Sequence, residues 1–118
     1  YKNHKNIFLI GPIYDVSKIK ALHAKTELYI HGHSAGGTNP VLVESMWSKL
    51  PIVAYDISFN RYTTGGDALY FKNRTDLQEI LKMGDSDLSV TNVDKMWEIT
   101  NQKYVWKKII KSYEEIIF

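Results

Sequence analysis

Along this chain, short unbroken apolar runs alternate with stretches whose apolar residues recur every three or four positions. Asn6-Ile7-Phe8-Leu9-Ile10 is stopped by Gly11-Pro12 and reads as a buried strand, because two breakers close a run too short for a helix. Val16, Ile19 and Leu22 follow Asp15, a spacing that predicts a helix with that aspartate as its N-cap. Leu28-Tyr29-Ile30 is a second strand, broken by the turn-rich segment Gly32–Asn39. Asn39-Pro40 then opens a helix: asparagine caps well, and proline suits the first helical position, where its missing N–H would have no partner. Val41, Leu42, Met46 and Leu50 form its apolar side. Pro51–Tyr55 is a third strand, Asp56–Asp67 a polar, glycine-containing loop, and Ala68–Phe71 a short fourth strand. Helical periodicity returns over Thr75–Met83 and over roughly 93–117. In the last stretch Trp97, Trp106, Ile109, Ile110, Tyr113 and Ile117 keep helical spacing, which predicts a stripe of core rather than a ligand box.

Strands that are apolar throughout and separated by helices predict a parallel sheet covered on both faces. The fold class is therefore α/β: one domain over 1–118 with a doubly wound, Rossmann-like, mostly parallel sheet. Ligands bind such sheets at the carboxyl ends of the strands. That edge carries Gly11–Asp15, His31–Asn39 and Asp56–Gly66.

Composition narrows the chemistry. Without cysteine there is neither a disulfide framework nor a thiolate nucleophile or metal ligand. The longest apolar runs fall far short of a bilayer span. Lys103, Lys107, Lys108 and Lys111 cluster, but Glu98, Glu114 and Glu115 stand among them and the formal charge is +2. That pattern reads as a solvated helix face rather than a nucleic-acid surface, which needs unopposed positive charge. The chain opens on Tyr1 without Met or a secretory signal, and the reading is of a piece of a larger, cytoplasmic protein.

The informative segment is Tyr29–Glu44, a strand, a glycine-rich turn and a helix start. Glycines let backbone approach a ligand, and first-turn amides with the helix dipole favour an anion. Gly36, Gly37, Thr38 and Asn39 thus form a candidate phosphate cradle. Glu44, one turn beyond Pro40 on the same face, is placed to accept hydrogen bonds from vicinal ribose hydroxyls. Two rival readings use the same residues. Gly32-His33-Ser34-Ala35-Gly36 has the letters of a serine-hydrolase nucleophile elbow. However, its helix is postponed to Pro40, and His4, His23, His31 and His33 all precede Ser34. His31 and His33, two apart on a strand, could share a metal, but no carboxylate stands nearby in sequence and a third ligand must come from elsewhere.

The run His31–Met46, with Leu50–Asp56 and Phe59-Asn60-Arg61, resembles the C-terminal domain of retaining glycosyltransferases of family 4. Those are two-domain GT-B enzymes, and the closest likeness is to a bacterial subgroup often called rhamnosyltransferases. Phe8–Asp15 and Trp106–Tyr113 fit as well, so the likeness covers nearly the whole chain. It implies transfer of a sugar from a nucleotide-diphosphate sugar to an acceptor hydroxyl with retention, in capsule, exopolysaccharide or lipopolysaccharide assembly. It further implies that Glu44 holds the ribose, that Gly37, Thr38, Asn39 and Val41 face the diphosphate and sugar, and that Gly11, Pro12 and Ile13 lie against the base. Asp56, Asn60 and Arg61 would stand on the cleft side. Where the family often carries a second glutamate, eight positions before Glu44, this chain has Gly36; His33, Ser34 or Asn39 is left to take its place. The likeness implies no cofactor or metal, the donor sugar being a substrate. The saccharide or lipid-linked acceptor would be held by an N-terminal domain outside this chain, so the fragment alone would be inactive. The complete enzyme would work at the inner face of the membrane. The competing expectation is a non-catalytic α/β module for a phosphate-bearing ligand or a protein partner.

Overall fold

The computed structural model describes residues 4–84, 88 and 90–117. The elements run α1 Val16–His23, β1 Tyr29–His31, α2 Pro40–Trp47, β2 Ile52–Tyr55, α3 Ser58–Thr64, β3 Leu69–Phe71, α4 Arg74–Lys82, α5 Val93–Lys103 and α6 Trp106–Ile117. The fold is α/β, with a three-stranded sheet in the order β1-β2-β3. Both pairings are parallel, with Ile30 opposite Val53 and Ala54 opposite Tyr70. Parallel neighbours need crossovers, and α2 and α3 supply them.

The central strand explains the core. Ile52, Val53 and Ala54 are all fully buried, so both faces of the sheet are covered at β2. Ile52 and Ala54 join Leu42 and Met46 of α2 and Met96 of α5 in one apolar cluster, flanked by Tyr29, Ala68, Tyr70, Val93 and Ile99. Helix starts follow the side chains that cap them. Asp15 accepts from the N–H groups of Ser17 and Lys18, Asn39 from Val41, Asn73 from Asp76 and Asn92 from Lys95. Each capping oxygen satisfies a donor that the first turn leaves without an intrahelical partner.

Five expectations are corrected. Asn6–Ile10 forms no strand: among the described residues the sheet ends at β1, and Phe8, Leu9 and Ile10 stand 80%, 69% and 63% exposed. A strand exists only by pairing, and α1 buries no residue that would draw the segment onto the sheet. The polar stretch after Asp56 is not all loop but contains α3. Its threonines are poor helix formers, yet Thr63 and Thr64 donate their hydroxyls to the carbonyls of Phe59 and Asn60 and are buried. Tertiary burial overrides propensity there. α3 ends at Gly65, which takes the left-handed conformation (φ 68°) and leaves only 2.4 Å between an added Cβ and Cδ1 of Ile99.

The single long helix over 93–117 is two helices, α5 and α6. Before the break, Thr100 and Asn101 turn their side chains back to the carbonyl of Trp97, an alternative that competes with the regular ladder. The aromatic stripe of α6 is not core: it buries no residue, and Trp106, Ile110, Tyr113 and Ile117 are all more than half exposed. Val41, expected on the buried side of α2, is also exposed, whereas Leu42, Met46 and Leu50 are buried. Among the described residues no helix is long and apolar enough to cross a membrane.

Candidate functional site

The carboxyl end of β1 leads into an exposed loop, Gly32–Thr38, and then into α2 at Pro40. Gly36 adopts φ +88°, a conformation glycine takes without steric cost, and an added Cβ at Gly36 or Gly37 would meet nothing. Asn39 caps the helix, its Oδ1 accepting from the Val41 N–H at 3.0 Å. The backbone N–H groups of Gly36, Gly37, Thr38 and Asn39 donate to no atom among the described residues. Four consecutive backbone donors without an acceptor among the described residues thus precede the start of α2, where a helix dipole favours negative charge.

Glu44 lies one turn into α2 and is exposed. Its carboxylate is close enough to act on Tyr29, whose hydroxyl is raised above its ordinary range first by burial and further by Glu44, with the Ser45 hydroxyl opposing. Tyr29 Oη in turn lies 2.9 Å from Nδ1 of His31. His31 is 4% exposed, and its Nε2 is buried without a partner among the described residues. Burial holds its titration below the ordinary histidine range, and the neighbouring His33 adds to that. The neutral ring is thereby favoured. Tyr29 and His31 stand at the root of the loop, on the strand that leads into it.

His33 stacks on His31, with ring centroids 5.8 Å apart and planes inclined by 20°. The two rings do share a side, as their spacing requires. Among the described residues no third His, Asp or Glu joins them as a metal-binding group. Ser34 is exposed and makes no hydrogen bond to an imidazole among the described residues, and α2 begins six residues after it.

Asn60 sits apart from the solvent: it is 3% exposed. Its amide Nδ2 donates to the carbonyl of His33 (3.1 Å) and to that of Tyr55 (2.8 Å), tying the loop after β1 to the end of β2. Through these two bonds it positions the loop. Asp56 and Arg61 pair with each other, Lys72 Nζ stands 3.8 Å from Asp56, and the Arg61 guanidinium lies 4.0 Å over the Tyr70 ring. The Arg61 hydrogen bond lowers the Asp56 carboxyl, and Asp56 raises Arg61 in return. Their charges are thus spent locally.

Gly11 and Pro12 are exposed and Ile13 is half-buried. No hydrogen bond joins them to the loop 32–39 among the described residues, and with no strand before them they have no strand end to sit on. A cleft of about 890 Å³ lies at the opposite edge, where Leu28 and Pro51 precede β1 and β2. Its lining is mainly apolar and brings no residue of the loop. Compared with known protein families, curated proteins and solved structures, the chain matches none.

Proposed function

We propose that this chain is the donor-binding part of a retaining, GT-B-type sugar transferase, with a doubly wound sheet completed outside the described residues. The observation that carries the reading is the row of partnerless N–H groups from Gly36 to Asn39 at the start of α2, with Glu44 one turn away. In the reaction an acceptor hydroxyl oxygen bonds to the anomeric carbon, the bond from that carbon to the diphosphate oxygen breaks, the hydroxyl proton passes to the departing diphosphate, and a nucleoside diphosphate leaves. Negative charge builds on the leaving diphosphate. Preorganised backbone donors stabilise such charge without reorganising at the moment of reaction. Glu44 accepts from the ribose hydroxyls, and His33, Ser34 or Asn39 serves the sugar in place of the glutamate that Gly36 replaces. No general base is assigned within this chain. The acceptor, a saccharide or a lipid-linked one, belongs to another domain, and the process is assembly of a bacterial surface polysaccharide in the cytoplasm or at the inner membrane face.

The test is calorimetric titration of the chain with UDP, GDP and dTDP. One of them binds, and Glu44→Ala weakens it about tenfold or more, because hydrogen bonds to a charged acceptor contribute about 1.5–3 kcal/mol. A non-catalytic protein-interaction module binds none of the three. Equal affinity of the Glu44→Ala chain would remove the ribose role.

A further inference from the structure

A second cleft, about 770 Å³, opens between Tyr62 of α3, the end of α5 and α6, and reaches Thr38 of the loop. Its wall is lined by Lys103, Lys108 and Lys111 together with Tyr62, Tyr104 and Tyr113. In sequence these lysines are interleaved with glutamates, but the fold sorts them: Glu115 is the one carboxylate in the lining, and Glu98 and Glu114 take no part. Glu115 stands 3.8 Å from Lys111 Nζ, so the lining carries three lysines to one carboxylate. Lys103 Nζ is 4.8 Å from the centroid of the Tyr62 ring, an arrangement that holds the amine beside an exposed aromatic face. Tyr62 and Tyr113 are 66% and 63% exposed, and the buried hydroxyl of Tyr104 has no partner among the described residues.

Each feature selects part of a ligand. Excess ammonium charge meets a phosphate. Exposed tyrosine rings offer flat apolar faces to the C–H side of a sugar, with the polar groups of Thr38, Gln102 and Ser112 at the rim. We infer that this cleft is a binding site for a phosphorylated saccharide, separate from the backbone cradle at α2. The inference stands on the cleft itself and holds whether or not the cradle takes a nucleotide. Because Thr38 belongs to both, the two ligands would lie side by side.

The experiment is amide-shift titration of the isotopically labelled chain with glucose 1-phosphate, inorganic phosphate and glucose. Glucose 1-phosphate moves the amides of Gln102–Tyr104 and Lys108–Ile116 in a saturable way and binds at least about tenfold more tightly than glucose. The Lys108→Gln/Lys111→Gln chain weakens that binding by about tenfold, and Tyr113→Ala erases the preference for glucose 1-phosphate over inorganic phosphate. Glu44→Ala leaves all of this unchanged, which separates the result from the nucleoside diphosphate titration. Shifts confined to 36–44, no saturation, or an unaltered affinity in the double-lysine variant would overturn the proposal.

Discussion

Asn60 offers the sharpest test of how the loop is held. Replacing it with alanine removes two donated hydrogen bonds, 3.1 Å to His33 O and 2.8 Å to Tyr55 O. Neither acceptor is orphaned. His33 is exposed, so its carbonyl recovers a bond to water, and the loss there is about 1 kcal/mol. The Tyr55 carbonyl keeps the bond it accepts from the Ile57 N–H at 2.9 Å, so the loss there is also about 1 kcal/mol. Together Asn60→Ala loses about 2 kcal/mol, of the order of 8 °C in Tm for a domain of this size. Urea unfolding followed by circular dichroism gives the number. Amide chemical shifts give the location: those of 33–39 move, while those of α4 do not. Asn60→Asp, which keeps the volume but replaces the donor by an anion facing two carbonyl oxygens, is worse than alanine. A loss below about 1 kcal/mol for Asn60→Ala, or an aspartate variant as stable as the parent, refutes the reasoning.

Other outcomes follow from burial and backbone geometry. Because the folded chain holds His31 below its ordinary titration range, protonation opposes folding; stability is full above about pH 6.5 and declines as pH falls below it, and His31→Gln flattens that decline in Tm measured from pH 7.5 to 5. Met96 is fully buried between α5, α2 and β2, so Met96→Ala costs about 2–5 kcal/mol in denaturant unfolding. Gly65→Ala forces a side chain into φ 68° and against Ile99 Cδ1, losing about 1–2 kcal/mol on the same assay; Gly37→Ala, which meets nothing, is far milder.

What was legible in the sequence is what local chemistry decides. Asp15 and Asn39 announce their helices because a short oxygen-bearing side chain can cap only from that position. The strands β1, β2 and β3 are legible because each is a short apolar run closed by turn residues. What failed depended on partners. Asn6–Ile10 has the same apolar pattern as β2, and pattern alone cannot report whether a neighbouring strand is there to pair with. α3 was hidden because Thr63 and Thr64 look like loop residues until burial and back-bonding to the helix make them acceptable. In the candidate site, the turn at Gly36 and the capped start of α2 could be read from glycine, cap and proline. The part played by Asn60 could not, since its two acceptors lie 27 and 5 residues away in sequence.

The exposure of Phe8, Leu9 and Ile10 and the β1 edge, which pairs only with β2 among the described residues, have a consequence for handling this chain on its own. An apolar, strand-prone tetrapeptide and an open row of backbone donors and acceptors are complementary, so copies of the chain are expected to be sticky toward one another in concentrated solution. Lys5 and Pro12 bracket the run as charge and as strand breaker, which limits growth of such contacts but does not abolish them. Colloidal behaviour is thus governed by four residues far from the cradle: light scattering should rise with concentration, and Phe8→Lys should suppress that rise while leaving the unfolding midpoint in place.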